Sequence, residues 1–193
     1  MRGGSVNNIY VSQSPLYSQK ELIELYSFIT KCKSFKKEPS ELGAFNSGKK
    51  SKAFMVGWID VKRKLSKFEN FIYDANRSAF GYDIKRISDT DFINLNEYDS
   101  ENNSYGWHID GARKNKSHDL KLTCLLNIST DKYSGGNLDI TPLDEETRKH
   151  LFDYFKRPGH ALIFKSDRVH RVETVTEGKR KTLSYWVKGP PWR

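Results

Sequence analysis

From Phe80 onward, clusters of Gly, Asn, Asp and Ser cut the chain into short alternating runs, and this punctuation limits the fold more than any other feature. The runs are 80–84, 92–98, 105–109, 120–128, 137–141, 161–165, 169–175 and 181–187. About eight strands with turn signals between them predict a sandwich or barrel. One interruption, Asp144 to Phe155, has an acidic first turn and apolar Leu151, Phe152 and Phe155, so it reads as a short helix ended by Pro158-Gly159. Upstream the texture is helical. Leu22, Leu25, Tyr26 and Ile29 share one helix face after Ser18, and Val61, Leu65, Phe68, Phe71, Ile72 and Ala75 share another within 59–79. Residues 33–52, lysine-rich and broken by Pro39, Gly43 and Gly48, read as a long loop. The expectation is one α+β, mainly β domain over 1–193, with 1–79 as helical support and 80–188 as the β-core.

Composition narrows the class. Hydrophobic residues make up 36% of the 193, enough for one core, and no run approaches the ~20 apolar residues of a membrane-spanning helix. Residues 1–10 contain no apolar segment of the secretory kind, and two cysteines, Cys32 and Cys124, make no disulfide framework; a reducing, cytoplasmic setting is expected. The 33 basic against 24 acidic residues leave a net charge of +9, spread over clusters such as Lys49-Lys50-Ser51-Lys52 and Arg113-Lys114-Asn115-Lys116. That excess fits either an acidic partner or a solvated basic surface.

The residues that carry chemistry begin with His108-Ile109-Asp110. Residues i and i+2 of a strand point to one face, so this pair can hold one ion together. A second imidazole from a neighbouring strand would complete the 2-His-1-carboxylate set, which leaves positions open for oxygen chemistry on Fe(II).

The context of that triplet resembles the 2-oxoglutarate- and Fe(II)-dependent dioxygenases, in their prolyl-hydroxylase-like, PKHD-type branch. Tyr98-x6-Tyr105-x2-His108-x-Asp110 comes first, then Tyr133-Ser134-Gly135-Gly136-Asn137-Leu138, then Pro158-Gly159-x4-Phe164-x5-His170. Val172-x2-Val175-x2-Gly178-x-Arg180-x-Thr182-x3-Trp186 closes the series, all in the family's order. The resemblance implies a double-stranded β-helix (jelly-roll) core, Fe(II) on His108, Asp110 and His170, and 2-oxoglutarate and O2 as cosubstrates with ascorbate as reductant. It also implies a hydroxylase that converts 2-oxoglutarate to succinate and CO2, with no separate acid–base residue.

Arg180 stands ten residues beyond His170 and offers a bidentate fork for the distal cosubstrate carboxylate. Arg180, Thr182, Ser184 and Trp186 share one strand face by alternation, with Leu183, Tyr185 and Val187 on the other. Asn96, Tyr98 and Asn127 are further cosubstrate candidates; Tyr105, Arg113 and Trp186 are candidates for the substrate mouth. His118, His150 and His160 read as structural or exposed. The expected substrate is a peptidyl proline or another protein side chain. A nucleic-acid oxidative demethylase is the alternative, disfavoured because Trp186 stands where such enzymes place a second arginine. A non-catalytic metal-binding β-barrel is the third.

Overall fold

The computed structural model describes residues 3–6, 9–37, 48–101, 103–112 and 117–192. Its strands are β1 (Gly3–Val6), β2 (Ile9–Ser12), β3 (Lys36–Lys37), β4 (Lys49–Lys50), β5 (Lys52–Gly57), β6 (Phe92–Asp99), β7 (Ser104–His108) and β8 (Asp119–Asn127). They continue with β9 (Tyr133–Gly135), β10 (Leu138–Ile140), β11 (Ala161–Lys165), β12 (His170–Val172) and β13 (Val175–Gly189). The helices are α1 (Gln19–Ile29), α2 (Trp58–Val61), α3 (Ser66–Ala75) and α4 (Glu145–Phe155).

The strands form two antiparallel sheets. The major sheet runs β1-β2-β11-β8-β13-β6-β5-β3, with β9 joined to β13, and the minor sheet runs β10-β12-β7-β4. The alternation of β13 divides the molecule. Leu183, Tyr185 and Val187 pack in one apolar cluster with Leu22, Leu25 and Ile29 of α1 and with Phe68, Phe71 and Ile72 of α3. The opposite face looks toward the minor sheet, where Leu125, Leu162 and Phe164 meet Leu138, Ile140 and Val172 in a second cluster. Each helix lies where its apolar stripe dictates. Ser18 caps α1 with Glu21 answering in a capping box, and Asp144 caps α4 by accepting from the Thr147 amide at 2.8 Å. This is the jelly-roll arrangement, with helices covering the back of one sheet.

Three expectations are corrected. The first third is not all helix and loop: β2 pairs with β11, and β5, whose Ala53 and Val56 are buried, pairs with β6, so N-terminal strands widen both sides of the major sheet. The helix expected over 59–79 is two, broken between Val61 and Ser66. Residues 80–84 form no strand. Asn76 instead brackets a wide, π-helical turn over Asn76–Phe80, its Nδ2 donating to the Tyr82 carbonyl (2.9 Å) and its Oδ1 accepting from the Tyr82 amide (3.1 Å), and the turn ends at Gly81 with φ of 66°. Phe80, Tyr82 and Ile84 then pack against the helix-side core, which explains their alternation without a ladder. The remaining expected strands are present within a few residues of their predicted bounds, β13 being much longer because it pairs with β6, β8 and β9 in turn.

Candidate metal centre and cosubstrate cavity

His108 is the last residue of β7 and pairs in register with His170, the first of β12. Asp110 lies beyond the strand, in a single 3-10 turn over Asp110–Ala112, so the two-residue strand periodicity expected for His108 and Asp110 is not what joins them. The turn itself does. It is pinned where the Gly111 amide donates to the Ser166 carbonyl at 2.8 Å, and a Cβ on Gly111 would sit 3.1 Å from that backbone. Asp110 is thereby swung back toward the imidazoles. His108 Nε2 lies 3.6 Å from Asp110 Oδ1, and His170 Nε2 lies 3.5 Å from Asp110 Oδ2. The three ligand atoms all lie within 4.8 Å of one another.

The neighbours set the protonation a metal needs. His108 Nδ1 is 2.7 Å from the Gly106 carbonyl and His170 Nδ1 is 2.9 Å from the Arg168 carbonyl. Carbonyls only accept, so each ring carries a proton on Nδ1 and points its Nε2 toward Asp110. Burial first, and the His170 ring second, bring His108 down to about 4, so it is neutral near pH 7. Tyr105 stacks on His108 at 3.5 Å between centroids, and Phe164 meets His170 edge-on at 4.8 Å, which fixes both ring planes. Thr123 donates from Oγ1 to Asp110 Oδ2 at 2.8 Å. Two imidazoles and one carboxylate, each oriented by a second partner, fit Fe(II).

These residues line one side of a cavity of about 580 Å³ counted with its opening. The β13 residues Arg180, Thr182, Ser184 and Trp186 line it opposite the metal group, with Asn96 and Tyr98 from β6. Asn96 Nδ2 donates to Ser184 Oγ at 2.9 Å, and Tyr98 lies across the ladder from Arg180, its ring 5.2 Å from the guanidinium carbon. Arg180 is 2% exposed, and no carboxylate among the described residues forms an ion pair with it. A buried guanidinium facing a cavity without an anion is costly, so this end is built for a carboxylate from outside the chain. The Trp186 Nε1 donor, also in this wall, is buried and has no acceptor among the described residues. The Gly135-Gly136 turn makes the room: Gly136 has φ of 67°, and a Cβ there would stand 2.9 Å from Arg180 Cδ.

Asn127 lies elsewhere than expected. It is fully buried but outside the cavity, its Nδ2 donating to the carbonyls of Phe155 and Lys156 at 2.9 Å each, so it secures the end of α4. Its type and strand were right for the cavity, but the face was taken up by a helix end that only the tertiary structure reveals. Arg113, Lys114 and Lys116 lie outside the described residues, as does 38–47 of the expected loop. Tyr105 and Trp186 both line the cavity. Sequence reasoning missed Thr123, a lone hydroxyl in the apolar run Leu122–Leu126, and Lys49, one of many lysines with no mark of its own.

Residues 93–188 match the 2OG-Fe(II) oxygenase superfamily. The chain belongs to this superfamily, and the relatives that match it over that region are PKHD-type hydroxylases. Similar relatives are PKHD-type hydroxylases of Prochlorococcus marinus, 38% identical over 91 residues, and of Synechococcus sp., 33% identical over 90. Each match covers 46% of this chain and 38% of the relative, so the shared part is about two fifths of those proteins. Solved structures extend the likeness to the fold as a whole. A viral collagen prolyl hydroxylase from Paramecium Bursaria Chlorella virus-1, in complex with 2OG, aligns with a TM-score of 0.66 over 95% of this chain and 97% of its own at 12% identity. A prolyl hydroxylase from Trichoplax adhaerens, in complex with a hypoxia inducible factor peptide fragment, gives 0.67 over 94% and 84% at 16% identity.

Proposed function

We propose that the protein hydroxylates a prolyl or other side chain of a peptide or protein, using Fe(II), 2-oxoglutarate and O2. The observation that carries this reading is the pairing, within one cavity, of a two-imidazole, one-carboxylate group with a buried arginine that has no anion of its own. His108, Asp110 and His170 would hold the metal. Bound there, Fe(II) and its cosubstrates supply oxidising power, 2-oxoglutarate leaving as succinate and CO2 while one oxygen atom enters a substrate C–H bond. The chain's own work is placement. Arg180 would take the distal carboxylate through two parallel hydrogen bonds, with the Thr182 and Tyr98 hydroxyls beside it. Tyr105 and Phe164 hold the imidazoles in plane, and Leu125, Leu138 and Val172 keep that part of the wall apolar. The relatives' names, hydroxylase and prolyl hydroxylase, support the peptide side of the reading. The two free cysteines, Cys124 fully buried, fit a reducing, cytoplasmic location, which we propose with it.

The test is substrate-coupled release of CO2 and succinate, with Fe(II) and ascorbate, over a panel of proline peptides and methylated oligonucleotides. Peptide-dependent turnover, with a 16 Da gain on the peptide, is expected. His170→Ala should abolish turnover and lower metal content. Full activity in that variant, or coupling only to methylated oligonucleotides, refutes the reading.

A further inference from the structure

Tyr105 and His108 stand three residues apart, so an unbroken strand would send their side chains to opposite faces. Instead both line the cavity, and their rings stack at 3.5 Å between centroids. The ladder accounts for this. His108 pairs with His170 and Tyr105 with Val172, so Gly106 and Trp107 of β7 together face Arg171 alone. Two residues against one make a β-bulge, which re-aims the side chains beyond it. The bulge also places a backbone group, because the Gly106 carbonyl stands 2.7 Å from His108 Nδ1. On its other side the Gly106 amide donates to the Gly48 carbonyl at 3.2 Å.

A bulge interrupts the ladder that would otherwise hold the strand, and here a second fastening lies outside the cavity. Trp107, the residue before His108, is 49% exposed and takes no part in the cavity wall. The Arg171 guanidinium carbon lies 4.6 Å from the centre of a Trp107 ring. Arg171 is itself fixed, its Nε donating to Asp139 Oδ2 at 3.1 Å and its Nη2 to Glu173 Oε1 at 2.8 Å. Asp139 pairs with Arg171 across the ladder and is only 3% exposed. A planar cation gripped by two carboxylates and laid on an indole restricts where that indole can lie. We infer that Trp107, Arg171 and Asp139 form a latch that positions the metal centre. By holding the bulge from outside, the latch keeps His108 turned to the same face as Tyr105 and in register with His170. These are positioning residues, acting on the ligand through the β7 backbone. The inference rests on the metal-centre reading above.

The experiment titrates the intact, metal-free chain with Co(II), whose visible absorption reports the geometry of its ligands, beside thermal melts of the same preparations. Trp107→Ser and Arg171→Met should each weaken Co(II) by about tenfold and alter its spectrum. The metal-free variants should melt only about 2–4 °C lower, as expected for one partly exposed stacking contact. Trp107→Phe keeps a ring under the guanidinium and should restore both affinity and spectrum. The double variant should lose no more than the weaker single one, because both changes open the same latch. Unchanged Co(II) affinity and spectrum in a folded Trp107→Ser or Arg171→Met overturns the inference and leaves the metal centre standing. Additive losses in the double variant, or a Trp107→Phe as weak as Trp107→Ser, overturn it as well. Wild-type protein that binds no Co(II), or binds it equally well after His170→Ala, rejects the metal centre itself. Arg171→Met leaves Asp139 its other cation, Arg148, with Nε 3.3 Å from Oδ1, so this variant decides the matter if Trp107→Ser does not fold.

Discussion

At the scale of single residues, Arg180 and Asn127 show how alike two buried polar groups can look in a sequence and how differently they serve. Each is buried on a strand of the major sheet, Arg180 between two lysines and Asn127 at the end of an apolar run, and Thr182, two residues after Arg180, pairs directly with Asn127. Arg180 faces a cavity with no ion-pair partner among the described residues; Asn127 is spent on the end of α4. Their variants should therefore separate. Arg180→Met removes a charge that lacks a carboxylate partner, so the metal-free protein should unfold at the same temperature or higher, while 2-oxoglutarate affinity falls by about 100-fold or more. Titration of the cosubstrate followed by tryptophan fluorescence, beside a thermal melt, reads both. Asn127→Ala should do the reverse, costing about 1–3 kcal/mol of stability in urea while 2-oxoglutarate affinity holds, because buried carbonyls lose their donor. A cosubstrate defect in Asn127→Ala at full stability would return that residue to the cavity wall.

The elements carry most of what could be read in advance, and they fail where a contact distant in sequence takes over. Alternation along 180–187 placed Arg180, Thr182, Ser184 and Trp186 on one face, because a strand covered on both sides has no freedom in its pleat. The region after residue 80 is similarly legible, with its turn residues spaced for a sandwich. Short β2 and β5 were not legible, since four and six residues next to strong helices carry no period of their own. Nor was the turn that bends Asp110 inward, for its cause is a carbonyl of Ser166 far along the chain. The Gly135-Gly136 turn is an element whose conformation touches function directly. Gly136→Ala would put a methyl 2.9 Å from Arg180 Cδ at a φ of 67°. It should lower stability by about 1–2 kcal/mol from the left-handed backbone and weaken 2-oxoglutarate at least tenfold by moving the guanidinium. Iron affinity should stay near wild type, because the three ligands lie on other elements; metal and cosubstrate titrations on one preparation would show whether the two losses part in this way.

For the molecule as a whole, the question is what ties the N-terminal segment to the jelly roll, since the helices lie behind the sheet that carries Arg180. One tie is β2 on β11, completed at its end by a polar junction. Ser12 Oγ accepts from the Ala161 amide at 3.0 Å, and His160 Nδ1 stands 3.1 Å from the Ser12 carbonyl, donating to it. Burial there holds the His160 imidazole below its ordinary range. In the unfolded chain the same ring takes up a proton near pH 6.5. The folded state therefore binds that proton less readily than the unfolded one, and the junction contributes fully above about pH 6.5 and loses ground as the pH falls below it. Thermal midpoints of the metal-free protein should drop between pH 7 and pH 5, more steeply in the wild type than in His160→Gln. The comparison with the variant cancels what every other titrating group adds to both. Parallel pH curves for the two proteins would show that the junction does not sense protons, and the hold of the N-terminal strand would then rest on the ladder and on Tyr10 packed against Phe71 at 5.4 Å.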